Sequence, residues 1–370
     1  MSIYESLGVR RVINADARLT RLGGSLMPES VLDSMREAAG SYVDLHELHI
    51  AVGRRLADVT HNEAAYVSSG AAAGLFLASL ACMTGNDQAA IDRLPARSEL
   101  KRRVIVQRMH RIPYLPAVAL AGAEIIEIGS EPELHPGELD MALDDETAAV
   151  LYVAGEHLSQ GALPLHEVIE IAHARGVPVI VDAAAQLPPA QNLWRFTRDL
   201  GADLVVFSGG KDLRGPQSSG LIVGRADLIE ACRMNGAPNP RMGRPMKVGK
   251  EEMVGLLTAV EHYLADDEDT RIARFETIVR DWIATLNALP GTQATREFPN
   301  EAGQPMPRCR VELDPAVVGF DASELARRLW GGNPRIAVKH DERAISMTPD
   351  TLEPGDEREI TARLVALLQP

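Results

Sequence analysis

The sequence predicts an α/β fold, with a mainly parallel sheet in a large domain and a smaller α+β domain at the C-terminal end. Three observations carry that expectation. Short β-branched apolar runs, Val177–Val181 and Asp203–Phe207 among them, are bounded by turn formers and have the length of buried parallel strands. Stretches of helical apolar spacing lie between such runs, several opened by proline and closed by glycine, so that strand and helix alternate. At 370 residues the chain also exceeds what one core usually holds.

Taken in order, residues 1–45 read as an N-terminal arm. Val12-Ile13 is a short strand, Gly23-Gly24 a turn, and Pro28 begins a helix with Val31, Leu32 and Met35 on one face. The large domain is expected over 46–236. The helical spacing of Leu48, Val52, Leu56 and Val59 leads into the strand around Ala65–Val67. The small-residue turn Ser69-Gly70-Ala71 and an apolar helix follow. Strands are expected at Val104–Val106, Glu124–Ile128 and Ala148–Val153, and an amphipathic helix from Pro164 to Ala174. Gly236-Ala-Pro-Asn-Pro240 punctuates the chain and sets the expected boundary, so the small domain is 237–370. Long helices at Glu251–Asp266 and Thr270–Leu289 precede the strands Cys309–Leu313, Arg335–Val338 and Ala344–Met347, and Asp356–Leu368 closes the chain as a helix.

Composition narrows the function classes. There are 38 basic and 52 acidic residues, a net charge of −14, which disfavours non-specific binding to nucleic acid. Cys82, Cys232 and Cys309 are scattered and have no metal-ligand spacing, as buried thiols in a reducing compartment would be. No metal site is expected. The first twenty-odd residues carry charge throughout, and no run approaches the ~20 apolar residues of a membrane span. A cytoplasmic protein acting on a small molecule is the expectation.

The chemistry concentrates between Val177 and Gly220. The first strand there delivers Asp182 at its C-terminal end; the second delivers Ser208 and, after two glycines, Lys211. Neighbouring strand ends in an open α/β sheet converge on one crevice. An aspartate there can keep the ring nitrogen of pyridoxal 5'-phosphate protonated, and a lysine can form the Schiff base. Each residue alone has an ordinary alternative, the Asp as a turn or cap and the Lys as a solvated loop residue. The Ser69-Gly70-Ala71 turn, at the start of a helix, offers backbone amides to a phosphate, although small residues also permit close packing. Arg241, Arg244, Lys247 and Lys250 put four cations within ten residues of an acidic chain, which suits capture of a phosphate or carboxylate. Arg111 is a further candidate for such a group, and Arg335 for the substrate carboxylate, where a bidentate fork serves better than an ammonium. The Arg18/Arg21 pair either faces substrate or is solvated.

The segment SGGKDLRGPQSSG resembles the lysine segment of fold-type I pyridoxal-phosphate proteins related to bacterial L-seryl-tRNA(Sec) selenium transferase. Within that group the chain is most similar to the smaller relatives that include D-glucosaminate-6-phosphate ammonia-lyase. The stretch GRPMKVGKEE and the opening residues resemble the same group, except that Ala17 stands where a glycine is expected. The resemblance implies that Lys211 carries the cofactor, that Asp182 faces its ring nitrogen and that Ser208 contacts its phosphate. It implies a side chain stacked on the ring near His110, whose imidazole can also exchange protons near neutral pH. The loop carrying Glu156 and His157 is implied near the phenolic oxygen. Gln186 follows Asp182 by four residues where some groups have three. A homo-oligomer, dimer or higher, with the site near an interface is also implied.

The implied reaction is elimination of water and ammonia from a β-hydroxy amino acid, such as an amino-sugar acid phosphate, to give a 2-oxo acid. Racemisation, aldol cleavage and transamination need the same core residues and stay open, as fold alone does not fix chemistry. Selenium transfer on seryl-tRNA stays open too, with the net charge against it. A non-catalytic binding protein with a relict lysine site is the remaining alternative.

Overall fold

The computed structural model describes residues 2–94, 100–130 and 133–369. Its strands, in chain order, are β1 (Val12–Ala15), β2 (Ala64–Ser68), β3 (Arg103–Gln107), β4 (Glu124–Ile128), β5 (Thr147–Val153) and β6 (Val179–Asp182). They continue as β7 (Leu204–Ser208), β8 (Gly220–Gly224), β9 (Thr292–Glu297), β10 (Arg308–Leu313), β11 (Arg335–His340) and β12 (Ala344–Met347). The chain divides into two compact units. One comprises Met27–Ala265 with Glu301–Gly303, and the other Met1–Leu26, Asp266–Asn300 and Gln304–Pro370.

The larger unit is built on a seven-stranded sheet of order β2-β8-β7-β6-β5-β3-β4. Strands β3 to β7 are mutually parallel, while β8 and β2 pair antiparallel at one edge. Alternation along each strand sends side chains to two cores. Ile105, Val205 and Phe207 face one, with Leu56, Val168 and Leu256 from helices. Val104, Leu204 and Val206 face the other, with Phe76, Leu80 and Ile229. Because both faces are covered, these strands read as continuous apolar runs. The helix Ala71–Thr84 is apolar all round for the same reason, and is buried along almost its whole length.

Strand β6 and its neighbours are pinned at their far end by Asp203. Its buried carboxylate accepts from the Val179 amide at 2.7 Å, meets His173 Nε2 at 2.8 Å and pairs with Arg225 at 2.9 Å. His173, in the last turn of the helix Leu165–Ala174, thus has a buried partner. The helix Lys250–Ala265 also belongs to this unit, since Met253, Leu256 and Val260 enter its core and the helix packs along Glu29–Ala39. The unit breaks therefore fall at 26/27 and 265/266, against 45/46 and 236/237 in the sequence reading.

The smaller unit holds a five-stranded sheet of order β1-β11-β12-β10-β9. Strand β1, from the N-terminal arm, lies parallel to β11, and Ile13, Trp282, Val311, Ile336 and Leu364 form the core. The sequence reading lacks β9. Its residues TQATRE bury only Ala294, as an edge strand paired antiparallel with β10 can, so no apolar run marks it.

Candidate active site

Strand register brings the candidate residues to one end of the larger sheet. Val153 pairs with Asp182 and Asp182 with Val206, so the C-terminal ends of β5, β6 and β7 are level. Ser208, ending β7, pairs with Gly220, and Gly220 pairs with Ser68, ending β2. Ser208, the turn holding Lys211 and the Ser69-Gly70-Ala71 turn therefore share that edge with Asp182. The edge lies outside the carboxyl ends of parallel strands, where such sheets bind ligands.

Close approach of backbone fixes the turn. Gly70 has φ +100°, a conformation that strains any other residue, and a Cβ on Gly220 would stand 2.6 Å from the Gly70 carbonyl carbon. Gly70 caps the fourteen-residue helix Ala71–Thr84 without a side-chain hydrogen bond. First-turn amides of such a helix have no intrahelical acceptor and carry its positive dipole end. The turn is an open cradle for an anion. Ser69 Oγ is committed elsewhere, donating to the Met246 carbonyl at 2.9 Å. That bond ties the 244–247 loop to the turn.

Asp182 is 5 % exposed. Burial raises its pKa above the usual carboxylate value, offset in part by the Ala184 amide, which donates to Oδ1 at 3.0 Å, and by the positive charge of Lys211. The lysine is thus close enough to act on the carboxylate electrostatically. A carboxyl held in a dry site is suited to a cationic partner.

His110, in the turn after β3, is wholly enclosed. Its Nδ1 accepts from the Val153 amide at 3.2 Å and its ring meets Tyr152 edge-on at 4.5 Å. The proton therefore sits on Nε2, which is buried with no partner among the described residues. Burial takes the imidazole pKa down to about 4. The expectation that His110 exchanges protons near neutral pH is corrected on that ground: the ring stays neutral. The orphaned donor, the buried carboxylate and the open amide cradle together fit a cofactor with an aromatic ring and a phosphate.

The four cations of the basic loop divide into two kinds. Arg241 pairs with Asp92, and Lys250 donates to the Ala38 carbonyl at 2.7 Å and pairs with Glu251. Arg244 and Lys247 are exposed and have no protein partner among the described residues; both line a cavity of about 490 Å³ with Ser218, Val248 and Glu252. Sequence reasoning missed a further lining residue, His49. Its signal was present, because position 49 falls on the apolar stripe of the helix Leu45–Val59, between Leu45 and Val52.

Other candidates have different surroundings. Arg111 pairs with Glu127 at 3.5 Å. Glu156 and His157 donate backbone amides to the carbonyls of Ala302 and Glu301, and Gln186 reaches the Ala302 carbonyl at 3.3 Å. In the smaller unit Arg18 pairs with Asp350 and Arg21 with Asp16, and the Arg335 guanidinium stands 4.7 Å from the Trp330 ring centroid. No helix among the described residues is long and apolar enough to cross a membrane, and no group of side chains there could hold a metal ion.

Such an architecture, with a lysine and a buried aspartate at the edge of a seven-stranded sheet, is that of fold-type I pyridoxal-phosphate enzymes. A serine palmitoyltransferase variant from S. paucimobilis, solved with bound pyridoxal phosphate, shares the fold at TM-score 0.59 and 16% identity over 97% of this chain and 87% of that one. The chain belongs to the L-seryl-tRNA selenium transferase family, whose model matches residues 12–286. It is 36% identical to a 5'-C-glycyluridine monooxygenase-decarboxylase from Streptomyces sp., over 99% of this chain and 92% of that protein. It is 32% identical to the D-glucosaminate-6-phosphate ammonia lyase of Salmonella typhimurium, over 98% and 97%. A solved D-glucosaminate-6-phosphate ammonia-lyase superposes over all of this chain and 98% of its own, at TM-score 0.87 and 31% identity.

Proposed function

We propose that this chain is a pyridoxal-phosphate-dependent ammonia-lyase acting on a β-hydroxy amino acid that carries a distal phosphate, of the D-glucosaminate 6-phosphate type. The observation that carries the reading is the convergence of Lys211 with the buried Asp182 at the strand ends, beside the amide cradle at Ser69–Ala71. The cofactor is pyridoxal 5'-phosphate. Bound there, it supplies an electron-withdrawing ring that acidifies the α-C–H of an amine joined to it.

The chain's own residues have these tasks. Lys211 would hold the cofactor and, as a free amine beside the substrate, would carry the α-proton. Asp182 keeps the ring nitrogen protonated, since an ionised carboxylate in a dry site is stabilised by that cation. The amides of Ser69, Gly70 and Ala71, and the Ser208 hydroxyl, hold the phosphate. His110, neutral, orients the ring. Arg244 and Lys247 capture the distal phosphate, and Arg111 is a second candidate for it. The α-proton and the β-hydroxyl leave as water. The resulting enamine takes up one water to give a 2-oxo acid and ammonia.

Exposed apolar side chains at Tyr42, Val43 and Ile50 on the larger unit support a homo-oligomer. The free state of all three cysteines supports a cytoplasmic setting, and the charge of −14 supports a small-molecule substrate over a nucleic acid. A second reading has its own support in the 36% identity to the monooxygenase-decarboxylase, a reaction that consumes oxygen and releases carbon dioxide.

The test is product release by the cofactor-loaded protein from D- and L-β-hydroxy amino acids and phosphorylated amino-sugar acids. Ammonia and a 2-oxo acid in equal amounts, lost in Lys211→Ala, are expected. Oxygen uptake with carbon dioxide release would replace the lyase by the second reading.

A further inference from the structure

His49 has two ring nitrogens in different settings. The side chain is 5 % exposed and stacks on Tyr66, with centroids 4.8 Å apart and planes 3° from parallel. Nδ1 is buried and has no hydrogen-bond partner among the described residues. A proton on Nδ1 would strand a buried donor, which costs more than leaving a bare imine nitrogen there. The proton therefore belongs on Nε2. The Tyr66 ring, itself buried, keeps the imidazole from turning.

His49 stands in the wall of the 490 Å³ cavity that Arg244 and Lys247 line. It also borders a second cavity, of about 290 Å³, where Asp58, Glu63 and Glu230 outnumber Arg54 and Arg233. That lining does not select an anion. The first cavity has two cations against one carboxylate, Glu252, and adds the Ser218 hydroxyl. Presented to that cavity, a neutral imidazole N–H is a donor of fixed direction that accepts nothing from the ligand.

We propose that His49 is a specificity-determining residue of the distal anion pocket, its Nε2–H donating to a phosphate oxygen held by Arg244 and Lys247. The proposal rests on the reading of that pocket given above. Two exposed, long-chain cations recognise charge; the fixed donor recognises an oxyanion in one position. His49 thereby favours a phosphate monoester over an elongated or displaced anion.

Inorganic phosphate binding to the cofactor-loaded protein, measured by titration calorimetry, tests this without turnover. His49→Leu is expected to weaken binding about tenfold, the loss of one hydrogen bond to an ionised acceptor. His49→Gln, whose amide nitrogen falls near Nε2, is expected to restore most of it. In turnover the same variants should move KM and leave kcat within about twofold. Unchanged phosphate affinity in His49→Leu, with loss in Arg244→Ala, would overturn the role of His49 and leave the pocket standing. No binding by the parent protein, or none lost in Arg244→Ala, would remove the pocket reading itself. Nitrogen-15 NMR of the unsubstituted protein checks the proposal should the leucine variant not fold. An Nε2–H tautomer whose proton shifts on adding phosphate is expected, and an Nδ1–H tautomer would overturn it.

Discussion

At Ser69–Ala71 the larger unit offers an anion its backbone; at Arg244 and Lys247 it offers side chains. The first region is fixed by the pairing of β2 with β8 and by contacts too close for any Cβ, so its geometry is set when the sheet forms. The second is a loop whose four cations look alike in sequence, and two of them have no partner among the described residues. Preorganised amides cost no reordering when the ligand arrives, whereas long side chains lose rotamer freedom. A group held through every turnover suits the first, and a substrate that must leave suits the second.

The contrast is broken most severely at the cradle. Gly220→Val drives a side chain into the Gly70 carbonyl, and cofactor affinity should fall about 100-fold or more, read by absorbance titration. Asp182→Asn comes next, with kcat expected to drop about 100-fold. The same change should raise the melting temperature of the cofactor-free protein at pH 7. Its native pKa lies above the unfolded value, so the ionised carboxylate lowers stability above that native pKa, and the cost disappears as pH falls below the unfolded value. An asparagine has no such cost.

Within the basic loop, Arg244→Ala should raise KM about tenfold with little change in kcat, and Arg241→Ala, already paired with Asp92, should change KM less than twofold. Steady-state kinetics on a phosphorylated substrate separate them. A further effect is on acid stability. His49 and His110 both have native pKa values near 4, below the 6.5 of a free imidazole. Their contribution is complete above pH 6.5 and is lost as pH falls towards 4, by about 3 kcal/mol for each. Urea unfolding of His49→Gln and His110→Gln against pH should show a shallower decline in each.

Much of the site could be read from residue order. Asp182 and Lys211 stand at the ends of short β-branched runs, and Ser69–Ala71 precedes an apolar helix; both signals are local, and the helix and strands form where the pattern puts them. His110 was legible as a position and not as an environment. Its enclosure by Val153 and Tyr152 depends on a strand some forty residues away. His49 was hidden by its own helix, since an apolar stripe reads as core whichever residue interrupts it.

By itself the sequence determined the alternation of strand and helix, the two apolar faces of the larger sheet and the order in which lysine, aspartate and phosphate turn occur. These follow from periodicity and turn chemistry, which act over a few residues. Only the tertiary structure decided which cations of the basic loop stay unpaired, which histidines lose their protons, and that the helix Lys250–Ala265 joins the larger unit. Those outcomes depend on partners brought from far along the chain, because burial and charge pairing are properties of three-dimensional neighbours.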